Sequence, residues 1–177
     1  MNYPRRGCLQ VYTGNGKGKT TASLGLAMRA VGHGHKVIML QFMKGSDNYG
    51  ELTTAAKYLP GLTIEQYGLE TFVSRENLSP GDIEMARKGV ERAREVLAGG
   101  GYDLVILDEI NVALDYKLIQ LEQVMDLINL KPPNVELVFT GRYAHEKIIE
   151  AADLVTEVNL VKHPFYQGVE AREGIEY

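Results

Sequence analysis

The stretch TGNGKGKTT, residues 13 to 21, crowds three glycines, two lysines and three threonines into nine positions. Gly14, Gly16 and Gly18 let consecutive backbone N–H groups turn inward and form a cradle for an anion. Lys19 adds a mobile cation, and Thr20 brings a hydroxyl of the kind that sits on Mg²⁺ in polyphosphate sites. The phosphate-loop pattern G-x-x-x-x-G-K-S/T asks for a first glycine where Thr13 stands, and Gly14 comes one place late. A plainer reading is a glycine-rich turn with a capping threonine. The setting argues against it, because an apolar run, CLQVYT, leads in and a helical pattern, TTASLGLAMRAV, leads out. Strand, glycine loop and helix together are what the motif requires.

A second group lies at LVILDE, residues 104 to 109, where an apolar strand delivers Asp108 and Glu109 at its carboxyl end. A hard cation shared with phosphates needs a carboxylate there. Ligands of open α/β sheets bind beyond the carboxyl ends of the strands. Gln41 and Lys44, Thr140-Gly141-Arg142, and Lys162-His163 fall at that same edge, and Arg142 is a candidate phosphate contact. His33, His35, His145 and His163 have no metal-ligand spacing, and no Ser, Cys or His arrangement suggests a covalent nucleophile. The residues alone therefore reach an Mg²⁺-dependent nucleoside triphosphate site and leave the attacked atom open.

These groups need elements to position them. Short runs rich in Val and Ile recur at residues 8 to 13, 36 to 42, 62 to 67, 102 to 108, 135 to 140 and 153 to 158. Their length is that of strands, and runs such as LVIL, apolar without alternation, suit a parallel sheet covered on both faces. Between them the spacing predicts helices from Lys19 to Val31, Tyr49 to Tyr58 and Pro80 to Ala98, and a further one after Tyr143. In the longest, Ile83, Ala86, Val90, Ala93 and Leu97 form one stripe, Ser79 and Asp82 stand in capping-box positions, and Gly99-Gly100-Gly101 ends it. A second stripe, Leu118, Leu121, Met125 and Ile128, stops before Pro132. The alternation predicts a doubly wound α/β fold with a mainly parallel six-stranded sheet.

With 177 residues and 45% hydrophobic content, one core and a single domain over residues 1 to 177 are expected. A net charge of -4 without a basic block lacks the footprint of a nucleic-acid binder. One cysteine, Cys8, excludes an internal disulfide and suits a reducing compartment. No run approaches a membrane span, and MNYPRRG is not followed by the apolar segment of a leader. A cytoplasmic protein, with neither nucleic acid nor membrane as partner, is the expectation.

Four segments, residues 13 to 45, 105 to 116, 135 to 144 and 152 to 177, resemble the corrinoid adenosyltransferases of the CobA, CobO and BtuR type. The resemblance implies a P-loop NTPase, RecA-like fold in which ATP and a corrinoid meet. It implies transfer of the 5'-deoxyadenosyl group of ATP to Co(I), in cobalamin biosynthesis or salvage, with release of triphosphate. Because the corrinoid brings its own nucleophile, the lack of a side-chain one is accounted for. By position, Gly14, Asn15, Gly16, Lys17, Gly18, Lys19, Thr20 and Thr21 would hold the phosphates with Arg142. Thr20, Asp108 and Glu109 would serve Mg²⁺, with Lys19, Thr20 and Glu109 as the catalytic set. ATP would lie along the loop in the direction opposite to that in hydrolases. An aromatic pair that family members carry after the third strand corresponds here to the segment 67 to 73, where Leu69 and Phe72 are the candidate corrinoid residues and no tryptophan exists. A homodimer and an electron-donating reductase or flavoprotein are further implications, and the C-terminal HPFYQGVEAREGIEY would pack across a neighbour or over its own site.

Two other classes stay open on the residues alone. An NTP hydrolase or small-molecule kinase fits the loop and acidic strand equally well, and so does a nucleotide-gated corrinoid carrier that does not turn over.

Overall fold

The computed structural model describes residues 6–71 and 73–177, so Phe72 lies outside the described residues. Six strands, β1 (Leu9–Thr13), β2 (Val37–Phe42), β3 (Leu62–Tyr67), β4 (Leu104–Asp108), β5 (Glu136–Thr140) and β6 (Leu154–Glu157), form one sheet in the order β3-β2-β4-β5-β1-β6. Every pairing is parallel. Helices α1 (Lys19–Gly32), α2 (Gly50–Tyr58), α3 (Pro80–Gly99), α4 (Ile110–Asp115), α5 (Leu121–Leu130) and α6 (Glu146–Ala151) join them, and a short 3-10 turn spans Pro164–Gln167. The six expected strands are all present, and the sheet is wholly parallel.

Burial on both faces explains the continuous apolar runs. Along β4, Val105 and Leu107 join Phe42, Val90, Leu97 and Phe139 in one core, while Leu104 and Ile106 join Val37, Met39 and Ala27 in the other. The first core lies beneath α3, α4 and α5, and the second beneath α1 and α2. Strand β6 is the exception, because all four of its residues are exposed at the sheet edge.

Three details differ from the sequence reading. Ile83 is 47% exposed, so the buried stripe of α3 begins at Ala86. Leu118 and Ile119 are buried but precede α5, which starts at Leu121. Helix α4 was absent from the prediction, since six residues are too few to display a period, and Gln120 caps α5.

The start of α3 follows its sequence signature closely. The Asp82 carboxylate accepts from Ser79 N at 2.8 Å and from Ser79 Oγ at 2.7 Å, while Ser79 Oγ accepts from Asp82 N. Ser79→Ala removes one half of this box and should cost about 1 kcal/mol. A drop of about 2–4 °C in Tm, measured by circular dichroism, is the expected outcome for a chain of this size.

Candidate functional site

The carboxyl ends of β1, β2, β4 and β5 converge on Asp108, which is fully buried. Its Oδ1 accepts from Thr20 Oγ1 at 2.8 Å and Thr140 Oγ1 at 2.6 Å, and its Oδ2 accepts from Lys44 Nζ at 2.8 Å. Thr20 opens α1, Thr140 closes β5 and Lys44 lies two residues past β2, so three separate elements meet on one carboxylate. Thr140 Oγ1 also accepts from Glu109 N at 2.9 Å, which ties the residue after Asp108 to the neighbouring strand.

The glycines of the loop owe their spacing to close contact. Gly16 N donates to Val158 O at 2.7 Å. A Cβ on Gly14 would stand 2.5 Å from Val158 O, and one on Gly16 would stand 2.8 Å from Asn159 O. The shifted Gly14 therefore belongs to the packing of the loop against the chain that leaves β6. Gly18 meets nothing at that range, but its φ of 122° is one that side chains rarely adopt. It caps α1, whose first turn carries no acidic residue to oppose an anion at the helix N-terminus. Lys19, 7% exposed, donates to Gly14 O and Gly16 O, each at 2.7 Å. Burial lowers its pKa, an effect that nearby Glu109 opposes.

Backbone strain gathers at the same edge. Of the four described non-glycine residues with positive φ, Met43 precedes Lys44, Tyr143 follows Arg142, and the third is Glu109 itself, at 61°. Such conformations cost energy and collect at functional sites. Burial is the main cause that raises the Glu109 pKa, and the adjacent Asp108 charge raises it further. For Lys44, burial works downward, but the Asp108 carboxylate beside it more than offsets that, and the net shift is upward.

Two cavities open here. One, of about 890 Å³, is lined by residues 15 to 21 of the loop, Glu51 and Thr54 of α2, and the C-terminal residues 174 to 177. The C-terminal segment thus packs over its own loop, where Glu176 accepts from Lys17 at 2.5 Å and from Arg172 at 3.2 Å. Hydrogen bonds from Arg172, then Lys17, hold the Glu176 carboxyl down to about 2. The other cavity, of about 470 Å³, has Phe42, Met43, Leu69, Val73 and Val112 among its walls, beside the charged Glu70. Lys44, Tyr49, Glu109 and Arg142 line both.

A match to the family model described as ATP:corrinoid adenosyltransferase BtuR/CobO/CobP covers residues 5–177. The chain belongs to that family. It is an enzyme of the corrinoid adenosyltransferase class, whose general reaction is ATP-dependent adenosylation. Proteins named corrinoid adenosyltransferase from Sinorhizobium sp and Escherichia coli K12 are each 39% identical to it, over 97% of this chain and 81% and 86% of theirs. A corrinoid adenosyltransferase of Salmonella typhimurium is 36% identical, over 97% of this chain and 86% of its own. Among solved structures, the flagellar accessory protein FlaH from Methanocaldococcus jannaschii aligns with a TM-score of 0.60 at 14% identity, covering 86% of this chain and 71% of that one, and shares the fold.

Within the candidate site, the structure brings Gly16, Lys19, Thr20, Asp108 and Glu109 into one neighbourhood. Asn15, Lys17 and Thr21 are exposed along the rim of the larger cavity, and Arg142 reaches both cavities. Leu69 is half-buried in the smaller cavity, and its proposed companion Phe72 falls outside the described residues. Tyr49 and Glu51 were not singled out as site residues from sequence, whereas Thr140 was placed at the ligand-binding edge and the C-terminal segment was expected over its own site or across a neighbour. Among the described residues no group of three or more His, Cys, Asp or Glu side chains is placed to hold a metal by itself. No described helix is long and apolar enough to cross a membrane.

The raised Glu109 pKa has a consequence for stability. A carboxyl whose folded pKa exceeds its unfolded value destabilises the fold wherever the pH lies above both, and the penalty fades as the pH falls below them. Glu109→Gln should therefore raise Tm by about 2–4 °C near pH 8, roughly the effect of 1 kcal/mol. The gain should shrink toward zero near pH 4, about the ordinary carboxyl value. Thermal melts of both proteins across that range test it, and an unchanged or lower Tm near pH 8 would contradict the buried-charge argument.

Proposed function

We propose that this chain transfers the 5'-deoxyadenosyl group of ATP to the Co(I) centre of a corrinoid, acting as one unit over residues 1 to 177. The observation that carries the reading is the shared wall. A cavity at a phosphate-type loop and a second cavity walled in part by Phe42, Met43, Leu69, Val73 and Val112 share Lys44, Tyr49, Glu109 and Arg142, and suit a triphosphate and a corrin face respectively. In the transfer the cobalt–carbon bond forms as the C5'–O bond breaks, and the electron pair leaves on the triphosphate.

The work left to the protein is orientation and charge. Backbone amides of Gly14 to Gly18, the Lys19 ammonium, Thr21 and the start of α1 hold the triphosphate, with Asn15, Lys17 and Arg142 along its edges. ATP lies reversed relative to hydrolases, so that C5' faces the second substrate. Thr20, Asp108 and Glu109 form an oxygen-only donor set, free of Cys and His, which fits a hard cation. These three residues would hold Mg²⁺, which would supply positive charge beside the leaving triphosphate. Leu69, in the wall of the smaller cavity, meets the corrin ring in this reading, and Phe72 is its companion by the family resemblance alone. An electron-donating reductase or flavoprotein supplies the Co(I) state, and a cytoplasmic homodimer is the proposed setting.

Anaerobic incubation with MgATP and chemically reduced corrinoid tests the reading. The adenosylcorrinoid spectrum should appear with one triphosphate per turnover, whereas orthophosphate without adenosylation would sink it. Lys19→Ala removes a preorganised cationic contact and should lower kcat/KM by about 100-fold, roughly 3 kcal/mol. A near-normal kcat/KM would remove Lys19 from the site.

A further inference from the structure

Lys44 enters the reading above only as part of the shared wall, yet its ammonium is held on the buried Asp108. Its side chain is 15% exposed and that of Asp108 is 0% exposed, so their 2.8 Å contact is shielded from water. A second acceptor waits beside it, because Glu51 Oε1 lies 4.0 Å from Lys44 Nζ and the ring of Tyr49 lies 5.1 Å away. Glu51 does not wander. Gln41, fully buried in β2, donates to it at 3.0 Å, and Gln66 of β3 donates to Gln41 at 3.2 Å.

The oxygens of Asp108 are already filled from within the chain, by two hydroxyls on Oδ1 and the ammonium on Oδ2. The two hydroxyls are neutral and compatible with a cation nearby, whereas the ammonium is not. A divalent cation reaching Asp108 would face a positive charge on the oxygen it needs. Coulomb repulsion at such a distance in a screened pocket is strong, and one of the two charges must leave. Lys44 can leave without being stranded, since Glu51 and the Tyr49 face lie within reach on the side of the larger cavity that both residues line.

We propose that Lys44 is a displaceable counter-cation: it neutralises Asp108 until a divalent cation arrives with the triphosphate, and then turns toward Glu51 and the polyphosphate, adding a second ammonium to the leaving group. The consequence is ordered loading. The carboxylate pair is kept from binding a bare divalent cation, and the metal enters together with its phosphate ligand. The inference rests on the reading of this site as the one that holds the metal and triphosphate.

Mn²⁺ is the probe, with free ion followed by electron paramagnetic resonance, for the wild-type chain, Lys44→Met and Lys44→Arg, each with and without inorganic tripolyphosphate. Lys44→Met should bind Mn²⁺ alone about tenfold more tightly than wild type, the effect of one charge-assisted contact. It should also bind the Mn²⁺–tripolyphosphate pair about tenfold more weakly. Lys44→Arg, which keeps the charge, should bind bare Mn²⁺ as weakly as wild type. A merely structural lysine would lower Tm without tightening Mn²⁺ binding, and that result overturns the proposal. If Lys44→Met does not fold, wild type alone still decides, because equal Mn²⁺ affinity with and without tripolyphosphate is incompatible with a counter-cation. Adenosyl transfer is assayed separately. Its absence alongside the expected Mn²⁺ behaviour would remove the adenosyltransferase reading and leave the role of Lys44 standing.

Discussion

A carboxylate with no exposure, at the end of a central strand, is the constraint around which this molecule is organised. Left unpartnered, Asp108 would cost several kcal/mol or would have to take up a proton. Three donors from α1, β5 and the turn after β2 satisfy it instead. That requirement fixes the order of the sheet at its centre. Strand β5 lies between β1 and β4, so Thr140 reaches Asp108 from next door while Thr20 arrives over the top from the loop helix.

The same requirement explains the concentration of charge in a small volume. Lys19, Lys44 and Arg142 stand near Asp108 and Glu109, and the influence of each is felt in the pKa of Glu109. The charges of Lys19, Lys44 and Arg142 face those of Asp108, Glu109 and Glu51. The smaller cavity shares Lys44, Glu109 and Arg142 with the larger one, and the boundary between the two is only a few side chains thick.

Much of this was legible in the sequence, and the reasons are specific. Residues that must be apolar on two faces, such as LVIL in β4, leave a strong signal, whereas the exposed β6 was recognised only from the length and composition of its run. The loop and the Asp108-Glu109 pair were visible because their chemistry demands particular residues at particular ends of strands. What stayed hidden depends on contacts between distant positions. The hold of Lys44 on Asp108 spans 64 residues, and Glu51 joins the site only because Gln41 and Gln66 pin it there. The true purpose of Gly14 was hidden for the same reason. Its neighbour is Val158, and nothing within the loop's own sequence discloses that. Ile83 misled because a helical period marks a face but not how far the core extends along it.

The turn that carries Lys44 also touches the wall of the smaller cavity directly. A Cβ on Gly45 would stand 2.5 Å from Gly68 O, and one on Gly68 would stand 2.4 Å from Lys44 N. The two backbones are in contact with no side chain between them, and Leu69 follows at once. In evolutionary terms this makes a joint that cannot drift. Positions 45 and 68 cannot admit even a methyl group unless both segments shift together, and Lys44 would shift with them. Change in the wall of the smaller cavity is thereby confined to residues beyond the joint.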